Sequence, residues 1–237
     1  MRLLKACLSA LPVLFLPLAL ASTPSGGTVT GKVTYKGTPA RPRPIDMAKE
    51  PTCVKMHSER LTTEDVVTGP GNTLQNVVVY ISSGPPDPTP VPATPVEFDQ
   101  KGCHYTTHVL VFRAGQDVSI SNSDPFTHNI HPLAKLNREW NRIQLPGTPP
   151  FSYSYANAEF IPVKCNIHAW MRAYFVVLKT SHYAVTGEDG KFSLADLPPG
   201  SYTVTAWQEV YGTQSRQITI PSDEAQEVNF VFQAKSE

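Results

Sequence analysis

Prolines cut this chain into short pieces, and that constrains its fold more than any other feature. Twenty-three of its 237 residues are proline, concentrated at Pro85–Pro95, Pro146–Pro150 and Pro198-Pro199. Each lacks a backbone donor and has a fixed φ, which suits stiff loops and turns. The runs between the clusters are rich in Val, Ile, Tyr and Phe and read as strands. No stretch carries the apolar period of a three-turn helix, and no internal repeat is visible. The expectation is an all-β chain.

From Gly27 to Pro39 the residues alternate between β-branched and small or polar, giving a strand and a Gly/Pro turn. Residues 40–66 read as irregular, and Asn76–Ile81 as a strand apolar enough to be buried on both faces. The stretch 84–95 reads as a linker. A second strand-rich block follows, with Thr107–Phe112, a turn at Arg113-Ala-Gly115, Asp117–Ser121, and a segment carrying His128. Phe160–Val163 leads into a loop that Arg172–Leu178 leaves. In the tail, Tyr183–Leu194 reads as a hairpin around an Asp-Gly turn, with further strands at Ser201–Trp207, Gln217–Ile220 and Val228–Phe232.

Lys plus Arg and Asp plus Glu are equal at 20 each, so the charge balance points to neither nucleic acid nor an anionic membrane surface. The first 21 residues have a basic start, an apolar core broken by Pro12 and Pro17, and an Ala-Leu-Ala ending. They read as a secretory signal of an exported protein, periplasmic or secreted, with no stable membrane insertion. A retained single-pass anchor is the alternative. Nucleophile-elbow, metalloprotease, phosphate-loop and haem-attachment patterns are all missing, so the expectation is a non-enzyme.

The chemistry concentrates in Cys165-Asn-Ile-His168-Ala-Trp-Met171, with His128-Asn129-Ile-His131 upstream. One thiolate, two imidazoles and a thioether form the soft, mixed ligand set of a type 1 copper ion, with methionine as the weak axial ligand. Beyond the signal three cysteines remain, Cys53, Cys103 and Cys165. An exported compartment pairs exposed thiols. If Cys165 binds metal, Cys53 and Cys103 are left to pair. A Cys103–Cys165 bridge would also leave one over, and it would consume the thiolate.

At this loop the chain resembles the cupredoxins, and among them the amicyanin group, whose ligand loop is Cys-x-x-His-x-x-Met with an upstream His-Asn-Val-His. The resemblance covers roughly residues 96–180. It implies His128, Cys165, His168 and Met171 as ligands of one copper ion, with His128 preferred to His131. It also implies Asn129 as a strap to the residue after the cysteine, here Asn166 where the family has Ser or Thr. His168 would present one edge near the surface, ringed by Ile167, Ala169 and Trp170, where a redox partner protein docks. His108 and His131 read as strand-face histidines, with a second metal site built from His104, His108 or His131 as the alternative.

The Asp-Gly-Lys-Phe and Leu-Pro-Pro-Gly-Ser-Tyr stretches of the tail resemble the carboxypeptidase regulatory-like domain, a small transthyretin-like β-sandwich. Gly31-Lys-Val33 and Gly37-Thr-Pro39 resemble that domain's opening strand. The implied organisation is such a sandwich from residues 26–82 and 181–237, interrupted by a cupredoxin Greek-key sandwich at 83–180. The expected function is single-electron transfer. A non-redox glycan- or protein-binding module and copper storage or delivery are the alternatives.

Overall fold

The computed structural model describes residues 26–39, 41–221 and 224–234; the signal expected at 1–21 lies outside them. The chain opens with β1 (Gly27–Tyr35) and a one-turn helix α1 (Pro51–Val54), then β2 (Thr68–Gly69), β3 (Thr73–Leu74) and β4 (Val78–Ser83). Next come β5 (Val96–Gln100), β6 (Val109–Arg113), β7 (Asp117–Asn122), β8 (His128–Pro132), β9 (Arg142–Gln144), β10 (Phe151–Ser154), β11 (Glu159–Lys164) and β12 (Arg172–Leu178). The tail adds β13 (Tyr183–Val185), β14 (Lys191–Leu197), β15 (Gly200–Gln208), β16 (Gly212–Ile220), β17 (Ala225–Glu227) and β18 (Phe230–Phe232).

Both ends of the chain build the first sandwich. β1 lies antiparallel to β14 and β3 and parallel to β17 and β18. The facing sheet runs β13-β4-β15-β16, antiparallel throughout. Val29, Val33 and Tyr35 of β1 are buried at alternate positions, as period-two patterning requires, against Val79 and Ile81 of β4 and Val204 of β15. The sequence suggests a hairpin at Tyr183–Leu194, but β13 and β14 lie in opposite sheets. The turn between them is tight, with the Gly190 N–H bonded to the Gly187 carbonyl at 3.0 Å. A Cβ on Gly190, at φ +65°, would sit 2.5 Å from the Val33 carbonyl, so the chain crosses beneath β1 rather than folding back flat.

The second sandwich packs β10-β7-β5 on β6-β12-β11-β8-β9. The pairs β5–β7 and β6–β12 are parallel and β11–β12 antiparallel. Phe98, Phe112, Ile120, Ile130, Ile161 and Phe175 fill its core. The fold is therefore all-β: two β-sandwiches, the second inserted between β4 and β13 of the first.

The two sandwiches share an apolar seam. Along β12, Ala173, Phe175 and Val177 point into the core of the second sandwich, while Val176 and Leu178 face the other way onto Val78 of β4. Trp207 lies over this seam, its ring centre 4.7 Å from Phe160 and 5.1 Å from Tyr174. Such offset contacts add about 0.5–1.5 kcal/mol each beyond the area they bury. Strand β4 is buried on both faces, as its unbroken Val run suggests. At one margin of the seam His108 bonds Glu209 of the β15–β16 turn. Glu64 sits 3.8 Å from the other nitrogen of His108 and 2.8 Å from His104.

Candidate metal centre

Strands β11 and β12 pair out to Lys164 opposite Arg172, so residues 165–171 must turn within one short loop. The loop closes on itself: Cys165 N–H donates to the Met171 carbonyl at 3.1 Å, and Met171 N–H to the His168 carbonyl at 3.0 Å. His168 N–H points at the Cys165 sulfur at 3.3 Å. His128 begins β8, the strand beside β11, which places the upstream imidazole over this loop.

Asn129, next to His128, ties the two pieces together. Its Oδ1 accepts the backbone N–H of Asn166 at 2.6 Å and the Cys165 thiol at 3.2 Å. The bond uses the main chain of Asn166, so the side chain at that position is immaterial to it.

The donor atoms of His128, Cys165 and His168 all lie within 4.8 Å of one another, and all three residues are buried. The two Nδ1 atoms stand 2.9 Å apart, and the Cys165 sulfur is 4.0 Å from Nδ1 of His168. Three donors around a trigonal ion at ~2.0–2.3 Å are separated by roughly 3.5 Å, so these distances bracket what an ion needs. The set of one thiolate and two imidazoles fits a soft to borderline metal. Met171 is fully buried in the same apolar cluster as Cys165.

Burial pushes the Cys165 thiol up, but hydrogen bonds from His128 and from the His168 and Asn129 side outweigh it, leaving the thiol below its ordinary value. Burial pulls His128 down, whereas its bonds to Cys165 and Asp124 raise it above the usual imidazole range overall. His168 is lowered by burial and then by the charge of His128. The pocket thus makes loss of the Cys165 proton easier than in a free thiol, and the thiolate is the form that binds metal.

Two features were not read from the sequence. Asp124 is buried, and its carboxyl group takes the Nε2–H of His128 at 2.7 Å together with the N–H groups of Gly102 at 2.6 Å and Cys103 at 2.7 Å. Asn122 shapes this turn, accepting Asp124 N–H at 3.1 Å and donating to the Phe126 carbonyl at 2.9 Å. The Asp124–His128 spacing of four is a familiar signal only on a helix, and this segment is a loop entering a strand.

The second feature is a cover. Cys53 on α1 is bridged to Cys103, and Met47, Ile45, Leu61, Phe126 and Trp170 pack around the bridge. Trp170 donates its indole N–H to the Cys103 carbonyl at 2.9 Å. His168 is consequently 4% exposed, against the expectation of an edge near the surface. The region 40–66 that reads as irregular supplies the lid, and no periodic pattern announces it. Ile167 and Ala169 remain exposed beside it.

His131 stays outside the cluster, bonded to Glu139 at 2.7 Å and to Asn166 at 3.3 Å. Among the described residues Cys165 is the free cysteine, and it is buried; Cys103 pairs with Cys53, so the Cys103–Cys165 alternative does not form. No described helix is long and apolar enough to cross a membrane.

The candidate donors come from a strand and a strand-to-strand loop at one end of the second sandwich, an arrangement similar to that of the cupredoxins. Residues 172–233 match the model of the carboxypeptidase regulatory-like domain. That match starts in β12, which pairs within the second sandwich, while β1, central to the first sandwich, lies outside it. No curated protein matches the chain. Among solved structures, the chain is similar to a copper-containing nitrite reductase from Thermus scotoductus SA-01, at 19% identity over 40% of this chain and 27% of that one, TM-score 0.34. The chain thus spans about a quarter of that reductase. It is also similar to an oxidized proline-to-glycine mutant of amicyanin, at 22% identity over 42% of this chain and 98% of that one, TM-score 0.33. A Cu(I) methionine-to-alanine mutant of amicyanin gives 22% identity over the same shares, TM-score 0.32.

Proposed function

We propose that this is an exported type 1 copper protein that carries single electrons, with His128, Cys165 and His168 as the strong ligands and Met171 on the axis. The observation that carries the reading is the convergence of one thiol and two imidazole Nδ1 atoms in a buried pocket. When bound there, copper supplies a Cu(I)/Cu(II) couple whose thiolate and weak axial ligand suit both oxidation states.

The residues around it support little movement on electron transfer. Asn129 pins the loop to β8, Asp124 fixes the ring of His128, and the cover excludes water from His168. A redox partner protein would dock over Ile167 and Ala169 beside Trp170, the apolar surface nearest His168. The disulfide supports an oxidising, exported setting. The reading is of a carrier rather than an enzyme.

A cycling experiment tests this. Copper-loaded protein is reduced with ascorbate, passed through a desalting column, and reoxidised with ferricyanide. A carrier keeps its copper and regains its full spectrum over repeated cycles. Loss of the ion on reduction would instead indicate storage or delivery.

A further inference from the structure

Asp124 joins two parts of the molecule that the electron-carrier reading treats separately. One carboxyl group receives the Nε2–H of His128 and the N–H groups of Gly102 and Cys103, all between 2.6 and 2.7 Å. Gly102 and Cys103 have φ of +70° and +52° in succession, so their amides point the same way and cradle the carboxylate. Left-handed backbone at a cysteine is strained and persists only when something holds it. Here the holders are the bridge to Cys53, the Asp124 carboxylate, and the Trp170 indole on the Cys103 carbonyl.

We infer that Asp124 is a positioning residue coupling the Cys53–Cys103 disulfide to the ligand His128, so that the staple adjusts the reduction potential of the copper centre from outside its ligand set. The inference rests on the copper reading. A carboxylate can only accept, so it holds the proton of His128 on Nε2 and keeps Nδ1 aimed at Nδ1 of His168. Its negative charge, unscreened at 2% exposure, favours Cu(II) over Cu(I). The two amides compete with His128 for that charge. Opening the disulfide frees them, and with them the orientation of the carboxylate.

The test combines three proteins, Asp124→Asn, Cys53→Ser/Cys103→Ser, and all three changes together, with two measurements. The first is the copper reduction potential. Asp124→Asn should move the Cu(I)/Cu(II) balance about tenfold toward Cu(I), a positive shift of ~59 mV for one electron, and weaken Cu(II) binding by roughly 10–100-fold. The disulfide variant should shift the potential measurably, and the combined variant no further than Asp124→Asn alone. Full additivity would overturn the coupling. The second is the His128 Nε2–H signal by 15N-edited NMR on metal-free protein. It should be a slowly exchanging, far-downfield proton that moves upfield in both Asp124→Asn and the disulfide variant. A parent with no such proton, or an unmoved one, would overturn the assignment even if the protein bound no copper. Failure to take up copper would sink the carrier reading and the effect on its potential, while the proton signal would still decide whether Asp124 couples the disulfide to His128.

Discussion

Nδ1 of His128 lies 2.9 Å from Nδ1 of His168, with both rings buried. Two imidazole nitrogens cannot face each other so closely with both lone pairs bare, so a proton or a cation must lie between them. Asp124 holds the far nitrogen of His128 as a donor, and the Cys165 sulfur completes the third side. The three donors therefore converge on one buried point.

Replacing His131 by Ala should leave copper stoichiometry and spectrum unchanged, because its ring bonds Glu139 and Asn166 and lies outside the donor cluster. His128→Ala should abolish the type 1 spectrum. Absorption spectra of the two copper-loaded variants check the choice between these histidines; the reverse outcome would exchange their roles.

Asn129→Ala should lower the stability of the metal-free protein by about 1–3 kcal/mol, since it leaves the Asn166 N–H and the buried thiol without their acceptor. Asn166→Ser should cost far less, because that bond uses only its backbone. Urea midpoints of the two variants compare them directly, and equal losses would contradict the main-chain strap.

The seam between the sandwiches should respond to pH. His108 is pulled down by burial, but the neighbouring Glu209 and Glu64 carboxylates raise it overall. Its contribution is therefore fully present below the unfolded value of ~6.5 and is lost as pH rises through the raised folded value. Glu64 is raised by burial but held lower overall by His104 and His108, so its contribution is lost on acidification. Stability should fall from neutral pH upward in the parent and lose that slope in His108→Gln. A parent and variant with parallel pH profiles between 6 and 9 would show that the junction does not titrate.

Val78→Ala should destabilise both sandwiches together by roughly 2–3 kcal/mol, because the side chain is fully buried against Val176 and Leu178 rather than in either core. A single thermal transition displaced to lower temperature, with both sandwiches still unfolding together, is the expected signature.

Much of the fold is legible in the chain because period-two patterning records which face of a strand is buried. β1 alternates and sits over one core; the Val run of β4 does not, and it is buried on both sides. The ligand loop is legible because three of its donors lie within seven residues. Two things escape that kind of reading. The lid over His168 comes from Ile45–Leu61, more than a hundred residues earlier, and is held by a bridge rather than by periodic apolar positions. The role of Asp124 depends on a turn that Asn122 shapes and on two left-handed residues at Gly102 and Cys103. The Asp-Gly turn at Gly190 signals a tight reversal but not which sheet the next strand joins. That is decided by the close approach to Val33.

The loop closed by the Cys53–Cys103 bridge spans 50 residues, for which chain entropy gives about 4 kcal/mol. Cys53→Ser/Cys103→Ser should lose stability on that order and increase the accessibility of His168, read as faster modification by diethyl pyrocarbonate with peptide mapping. Unchanged modification would mean that the cover holds without its staple.

The most direct measurement is a Cu(II) titration of the metal-free protein followed in the visible range, with Cys165→Ser alongside. The parent should saturate at about one copper per chain with an intense thiolate-to-Cu(II) absorption, and Cys165→Ser should show none of it. A parent that stays without that band at saturating copper, or a serine variant that keeps it, would contradict the account.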